Sequence, residues 1–319
     1  MGKESIPRIG VAFSGGGVRG LAHLGVLQVL EETGVHVDLV AGTSMGGLVA
    51  GLYAAGIPLQ ELIDFGTRTG IIDLASPERS WRGLLGHKKM ATLLADLLGS
   101  KDITFEELDI PAAVIAADVE RGELVTLDQG PLIPALMATS AVPIVFAPVY
   151  HQERWLVDGG VVNNFPVDIV RQMGADRVLG VNVPPGVRLS LPKDEQEKGL
   201  SPRGLRFFGS HTLDWKLPFL IAEASVDISM QAVNQTRLAL CPPDVLLEIH
   251  LPNVGIFTSD DNARIIEAGR RVGMDNLAEL VQLRAEPLPP PWRGRLASTM
   301  ARLQRAWTAF QEPEYPAFP

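Results

Sequence analysis

A serine between two glycines, a run of glycines and an aspartate followed by two glycines lie far apart in this chain, yet together they suit one kind of chemistry. In Gly42-Thr43-Ser44-Met45-Gly46 an apolar run ends, the chain turns at Ser44, and small apolar residues continue at helical spacing. Gly42 and Gly46 lack the Cβ atoms that would collide where a strand and a helix come together, so Ser44 can occupy a strained apex with its hydroxyl presented outward. The N-terminus of the following helix points at Ser44, which favours negative charge developing there. In Gly15-Gly16-Gly17-Val18-Arg19-Gly20 a loop almost without side chains joins a strand to a helix. Such a loop can turn its N–H groups into one concavity for a phosphate or a transient oxyanion. Asp158-Gly159-Gly160 places a carboxylate on a tight turn at a strand end. A nucleophile, oxyanion donors and a base are the parts that acyl transfer requires.

The residue types also admit other readings. Gly15, Gly17 and Gly20 with Asp38 satisfy the dinucleotide-binding spacing, but there the acid ends the second strand, whereas Asp38 begins the strand that leads to Ser44. A conventional Ser-His-Asp esterase would draw on His211 or His250. His23 reads as a packing residue, on a helix with Leu21, Leu24, Val26 and Leu27. A noncatalytic protein holding lipid or nucleotide on its glycine loop is the reading from a different class. Cys241 is the only cysteine, which rules out an internal disulfide and a thiolate metal cluster, and Asp260-Asp261 reads as the start of a helix. No metal and no cofactor are expected.

The elements that must position these residues follow from periodicity. Strands are expected over residues 8–14, 39–42, 110–117, 123–127, 155–158, 178–183 and 245–250, and helices over 21–33, from 45 through at least 51, and over 134–140, 219–240 and 260–283, the last capped by Ser259 or Asp260. Residues 58–99 also read as helical, with a loop at 67–87 bordering the site entrance. Strands alternating with helices imply an α/β fold. Residues 184–218 are polar and punctuated by Gly and Pro, long for a loop, and read as a mobile segment or lid. The uncharged stretch 39–60 has the length of a membrane span but contains five glycines and reads as buried strand, turn and helix.

A chain of 319 residues with 46% hydrophobic residues can bury a sizeable core, and its net charge of −9 argues against nucleic acid as a partner. The polar first residues lack an apolar signal core, so a cytoplasmic location is expected, with peripheral attachment at the inner membrane surface as its variant. Residues 285–292 form a proline-rich linker. Beyond it, over 293–311, Leu296, Met300, Leu303, Trp307 and Phe310 recur on one helical face with arginines largely opposite. That stripe fits peripheral membrane contact or packing on the chain's own domain, and it equally admits a homo-oligomer.

The motifs Gly15-Gly16-Gly17-x-Arg19-Gly20, Gly42-x-Ser44-x-Gly46, Ala138-x-Ser140-Ala141-Val142-Pro143 and Asp158-Gly159-Gly160, in this order, resemble the bacterial patatin-like phospholipases. The resemblance covers residues 7–284. It implies a three-layer α/β/α fold with a mainly parallel central sheet and a serine-aspartate dyad that hydrolyses lipid esters through an acyl-enzyme. By that resemblance Ser44 is the nucleophile, Asp158 the base, Gly15, Gly16, Gly17 and Val18 the oxyanion loop, and Arg19 its brace. Gly42, Gly46, Gly159 and Gly160 are the turn glycines. A free aspartate has a pKa near 4, so direct proton transfer from a serine requires a close, desolvated contact between the two side chains.

Overall fold

The computed structural model describes residues 7–70, 76, 85–143, 145–184, 216–252, 254–255 and 261–284. The proline linker, the 293–311 stripe and almost all of the 184–218 loop lie outside these residues. The strands are β1 (Ile9–Phe13), β2 (Leu39–Thr43), β3 (Ala112–Asp118), β4 (Glu123–Leu127), β5 (Val149–His151), β6 (Arg154–Asp158), β7 (Arg177–Asn182) and β8 (Val245–Glu248). They form one sheet joined in the order β5-β6-β3-β2-β1-β7-β8, with β4 on β3. The run from β3 through β2, β1 and β7 to β8 is parallel, while β4, β5 and β6 join antiparallel.

β1, β2 and β3 are buried along their whole length, as expected of parallel strands covered on both faces. Alternate residues feed two cores. Val11, Phe13, Val40 and Val114 point into the larger one. It is covered by α1 (Ala22–Glu32), α2 (Met45–Ala54), α3 (Leu59–Arg68), α4 (Lys88–Leu98), α5 (Leu132–Thr139) and a later helix over residues 262–275. Ala12, Leu39, Ala41 and Ile115 point into the smaller core, together with Phe165 and with Val167, Ile169 and Val170 of α7 (Val167–Gln172). The short α6 (Gly160–Asn163) precedes α7, and α8 (Lys216–Leu240), α9 (Asn262–Asp275) and α10 (Leu277–Gln282) complete the fold. The result is the expected three-layer α/β/α architecture.

Two local readings are corrected. A short 3₁₀ turn, Gly17–Leu21, precedes α1, because the glycine loop must re-aim the chain before an α-helix can begin. The last expected helix is two, α9 and α10, broken at Asn276, and its cap is Asp261, whose carboxylate accepts from the Arg264 N–H at 3.0 Å. Asp38, the acid of the dinucleotide spacing, accepts from the Ile9 N–H at 2.7 Å and so ties β1 to the entry of β2.

Candidate active site

The sheet brings the elements of the site together through one detail of register. β3 pairs with β4 over Val114–Asp118 along one edge. Its other edge is shared: β2 runs parallel to it and ends with Thr43 opposite Ile115, and β6 runs antiparallel and ends with Asp158 opposite Ala116. The C-terminal ends of β2 and β6 therefore meet head to head on adjacent residues of β3. Ser44 and Asp158 leave the sheet at that junction.

Ser44 has φ 55° and ψ −125°, a conformation that costs a residue with a Cβ about 1–3 kcal/mol. Its surroundings hold it there. The Ser44 N–H donates to Thr139 Oγ1 at 3.0 Å, Thr139 in turn donates to the Ile115 carbonyl at 2.5 Å, and the Ser44 carbonyl accepts from Leu48 N–H in the first turn of α2. A Cβ on Gly42 would strike the Gly46 carbonyl, and one on Gly46 would strike the Phe13 and Ser14 carbonyls, so both turn glycines are required by close backbone approach. At the other strand end a Cβ on Gly159 would strike the Ile115 carbonyl. These contacts explain the glycine spacing in both motifs.

Asp158 is 1% exposed and Ser44 7%. The Asp158 N–H donates to Ala141 O at 2.9 Å, and its Oδ1 accepts from the Gly160 N–H at 2.7 Å. Burial raises the Asp158 pKa to about 6, opposed by the Ser44 side chain and the Gly160 N–H, which both favour the carboxylate. Asp158 Oδ2 is nevertheless buried without a hydrogen-bond partner among the described residues. Ser44 and Asp158 line the same cavity.

The glycine loop is strapped to the same junction. Ser14 N–H donates to Val181 O at 3.0 Å and Gly15 N–H to Asn164 O at 2.9 Å. Gly15 accordingly has its donor engaged and is removed from the set of free N–H groups, and a Cβ there would strike Asn164 Oδ1. Thr43 Oγ1 donates to Asn163 O at 2.8 Å. Gly17 adopts φ 59°, a region that favours glycine. Arg19 is 2% exposed, and its Nε donates to the Gly16 carbonyl at 3.0 Å.

A cavity of about 470 Å³, counting space open to solvent, is lined by Gly15, Gly16, Gly17, Ser44, Asp158 and residues of α8. Among the described residues no histidine lines it. His23 is fully buried, donates from Nε2 to the Ser14 carbonyl at 2.8 Å, and is driven by burial to a pKa of about 4, so it stays neutral and supports the loop. His250 lies exposed just beyond β8, at the opposite edge of the sheet from β6, and His211 lies outside the described residues. Among the described residues no cluster of three or more His, Cys, Asp or Glu side chains could hold a metal. A second cavity, about 620 Å³ on the same reckoning, is almost wholly apolar. Val18, just after the glycine loop, and Met45, next to Ser44, form part of its wall, with Leu48, Leu52, Leu62 and Leu94 among the rest.

Residues 11–171 match the family described as Patatin-like phospholipase, a span holding the glycine loop, the serine turn and the aspartate turn. The chain belongs to the patatin-like phospholipase family. An uncharacterized NTE family protein of Mycobacterium tuberculosis is 36% identical over 183 residues, covering 56% of this chain and 50% of that protein. Human patatin-like phospholipase domain-containing protein 6 is 32% identical over 187 residues, covering 55% of this chain and 13% of that protein. The matched segment therefore spans at most half the length of these relatives. Among solved structures, VipD from Legionella pneumophila superposes with a TM-score of 0.56 at 13% identity, covering 94% of this chain and 75% of that one, which shows a shared fold.

Sequence reasoning missed Thr139, Asn163, Asn164 and Asp227, which hold the site; of these, Asn163, Asn164 and Asp227 belong to none of the four motifs. Thr139 and Ser140 do sit in the quoted Ala138 to Pro143 stretch, and that was the one available signal.

Proposed function

We propose that this patatin-like phospholipase is a serine lipid acyl hydrolase working through a Ser44-Asp158 dyad. In this reading the Ser44 hydroxyl attacks the ester carbonyl while Asp158 takes its proton. The carbonyl oxygen, now an oxyanion, is met by the N–H groups of Gly16, Gly17 and Val18 and by the N-terminus of α2. Collapse of the tetrahedral intermediate breaks the bond to the alcohol, which leaves with the proton from Asp158, and the acyl group stays on Ser44. Water then attacks the acyl-enzyme with Asp158 again accepting a proton, which Asp158 returns to Ser44 Oγ as the acyl–oxygen bond breaks and the fatty acid is released. The apolar cavity walled by Val18 and Met45 supplies the acyl chain with a dry environment.

The observation that carries this reading is the head-to-head ending of β2 and β6 on β3, which puts a strained serine and a buried carboxylate with raised pKa beside a glycine loop in one cavity. A carboxylate near pKa 6 is a better match to a neutral reaction medium than a free aspartate. Incubation with a fluorophosphonate probe tests it: the wild-type chain should be labelled at Ser44, and Ser44→Ala should lose both labelling and ester hydrolysis while keeping its fold. Changing His211 or His250 singly should leave turnover near wild type. A histidine as essential as Ser44 would establish the conventional triad instead. A lipid panel read by mass spectrometry then identifies headgroup and ester position.

A further inference from the structure

Arg19 is nearly fully buried, and a buried guanidinium needs a counter-charge. Its partner comes from the far end of the chain. Arg19 Nη2 donates to Asp227 Oδ1 at 3.1 Å, and Asp227, itself 8% exposed, lies on α8. The same helix contributes Met230, Gln231 and Asn234 to the wall of the Ser44 cavity. Meanwhile Arg19 Nε donates to the Gly16 carbonyl. In a trans peptide the carbonyl and the following N–H point in opposite directions. Holding the Gly16 carbonyl against Arg19 therefore fixes the opposite direction of the Gly17 N–H, and Gly16, Gly17, Arg19 and Asp227 all line the cavity that holds Ser44.

Glycines lack the side chains that would fix this peptide plane by packing, and Gly17 lies at positive φ where the chain is least constrained by its own chemistry. The plane is instead held through Arg19. The guanidinium is planar with donors in a rigid fork, so a carboxylate that fixes Nη2 also fixes the direction of Nε. Arg19 Nη1 has no hydrogen-bond partner among the described residues, so Asp227 and the Gly16 carbonyl are the contacts that orient the group.

We propose that Asp227 is a positioning residue for the reaction: through Arg19 it orients the Gly16–Gly17 peptide so that the Gly17 N–H faces the oxyanion. This rests on the hydrolase reading given above. It also makes α8 part of the catalytic scaffold, although the helix lies outside every short motif and beyond the 11–171 family match. A peptide turned away from the developing charge still admits the substrate, so the effect belongs to the transition state and appears in kcat rather than KM.

The test uses the full chain, a soluble short-chain ester and the fluorophosphonate probe. Asp227→Asn keeps the size of the side chain and removes its charge, and Asp227→Glu keeps the charge but moves it by one methylene. Each should lower kcat and the phosphonylation rate together by about 10- to 100-fold, with KM within about twofold, as for loss of one oxyanion donor or less. In an Arg19→Met background, Asp227→Leu should cause little further loss, since both changes remove one device. An unchanged kcat in either folded Asp227 variant overturns the proposal, as does a loss of the same size with and without Arg19. If Asp227→Asn does not fold, Asp227→Glu and the Arg19→Met pair still decide the matter by the same kcat criteria. Failure of wild-type labelling would overturn the hydrolase reading itself, whereas normal wild-type labelling with indifferent Asp227 variants overturns only this inference.

Discussion

The burial that raises Asp158 to about 6 also works against the fold. An unfolded aspartate titrates near 3.9, so between that value and about 6 the folded protein binds a proton that the unfolded chain has released. Below both values Asp158 is protonated in either state and carries no penalty. Its stabilising share is lost as pH rises through 6. Above that, a two-unit shift corresponds to roughly 3 kcal/mol as an upper bound. Asp158→Asn should therefore raise the denaturation midpoint at pH 7–8, with the gain fading below pH 4, while lowering turnover about 10²- to 10⁴-fold as a general base is lost. Denaturant titrations across pH 4–8 check the first part, and an Asn variant less stable than wild type at pH 7 would contradict it. In the wild type, kcat/KM should fall as pH drops through about 6, because the base becomes protonated. Ser44, Asp158 and their glycines were legible in the sequence because each obeys a local steric rule. Asp227 and Asn164 were not, because a charge on a helix and an asparagine after a turn acquire their meaning only from distant partners. Gly15 was legible as a turn residue, but its engaged N–H was not, since the Asn164 carbonyl that accepts it arrives from a different element.

At the scale of elements, α2 does two things at once. Its first residues sit beside Ser44, and its Met45, Leu48, Val49 and Leu52 face the apolar cavity, closed from the other side by α3 and α4 through Leu62, Met90 and Leu94. If the acyl chain lies there, filling the cavity should shorten the preferred chain. Leu52→Phe is expected to lower kcat/KM for long-chain esters relative to short ones by about tenfold or more, at a stability cost of about 1–3 kcal/mol for overpacking. An unchanged chain-length profile in a folded Leu52→Phe protein would place the chain elsewhere. The helices α1 and α9 show why the scaffold holds still. A Cβ on Gly25 would strike the Ile266 carbonyl and one on Gly269 the Ala22 carbonyl, so the two helix backbones lie in direct contact beneath the glycine loop. Periodicity revealed most helices and strands because apolar spacing follows element geometry. It missed the break at Asn276 and the 3₁₀ turn before α1, where loop closure and tertiary contacts outweigh the local pattern.

For the whole molecule, the described residues that line the two cavities come from the sheet junction, the glycine loop and the helices packed around them. Among the described residues no helix is long and apolar enough to cross a membrane. If the 293–311 stripe is a membrane element, a chain truncated after Glu286 should hydrolyse a soluble short-chain ester at the wild-type rate. Its binding to anionic vesicles, compared with that of the full chain, tests whether the 293–311 stripe contacts membrane. A fall in melting temperature together with soluble-ester turnover would mean the tail packs on the fold. The layering of the molecule was legible because alternating strands and helices leave few arrangements. The junction on β3 was not, because it depends on an antiparallel strand entering beside a parallel one, and pairing partners carry no signature in a single sequence. That junction also orders events during synthesis. A chain growing from its N-terminus completes β1, β2, the glycine loop and the serine turn long before β6 exists. Under the proposed dyad, an emerging polypeptide carries Ser44 unarmed, and hydrolytic competence arrives late, when the last strand of the junction closes and the carboxylate is buried.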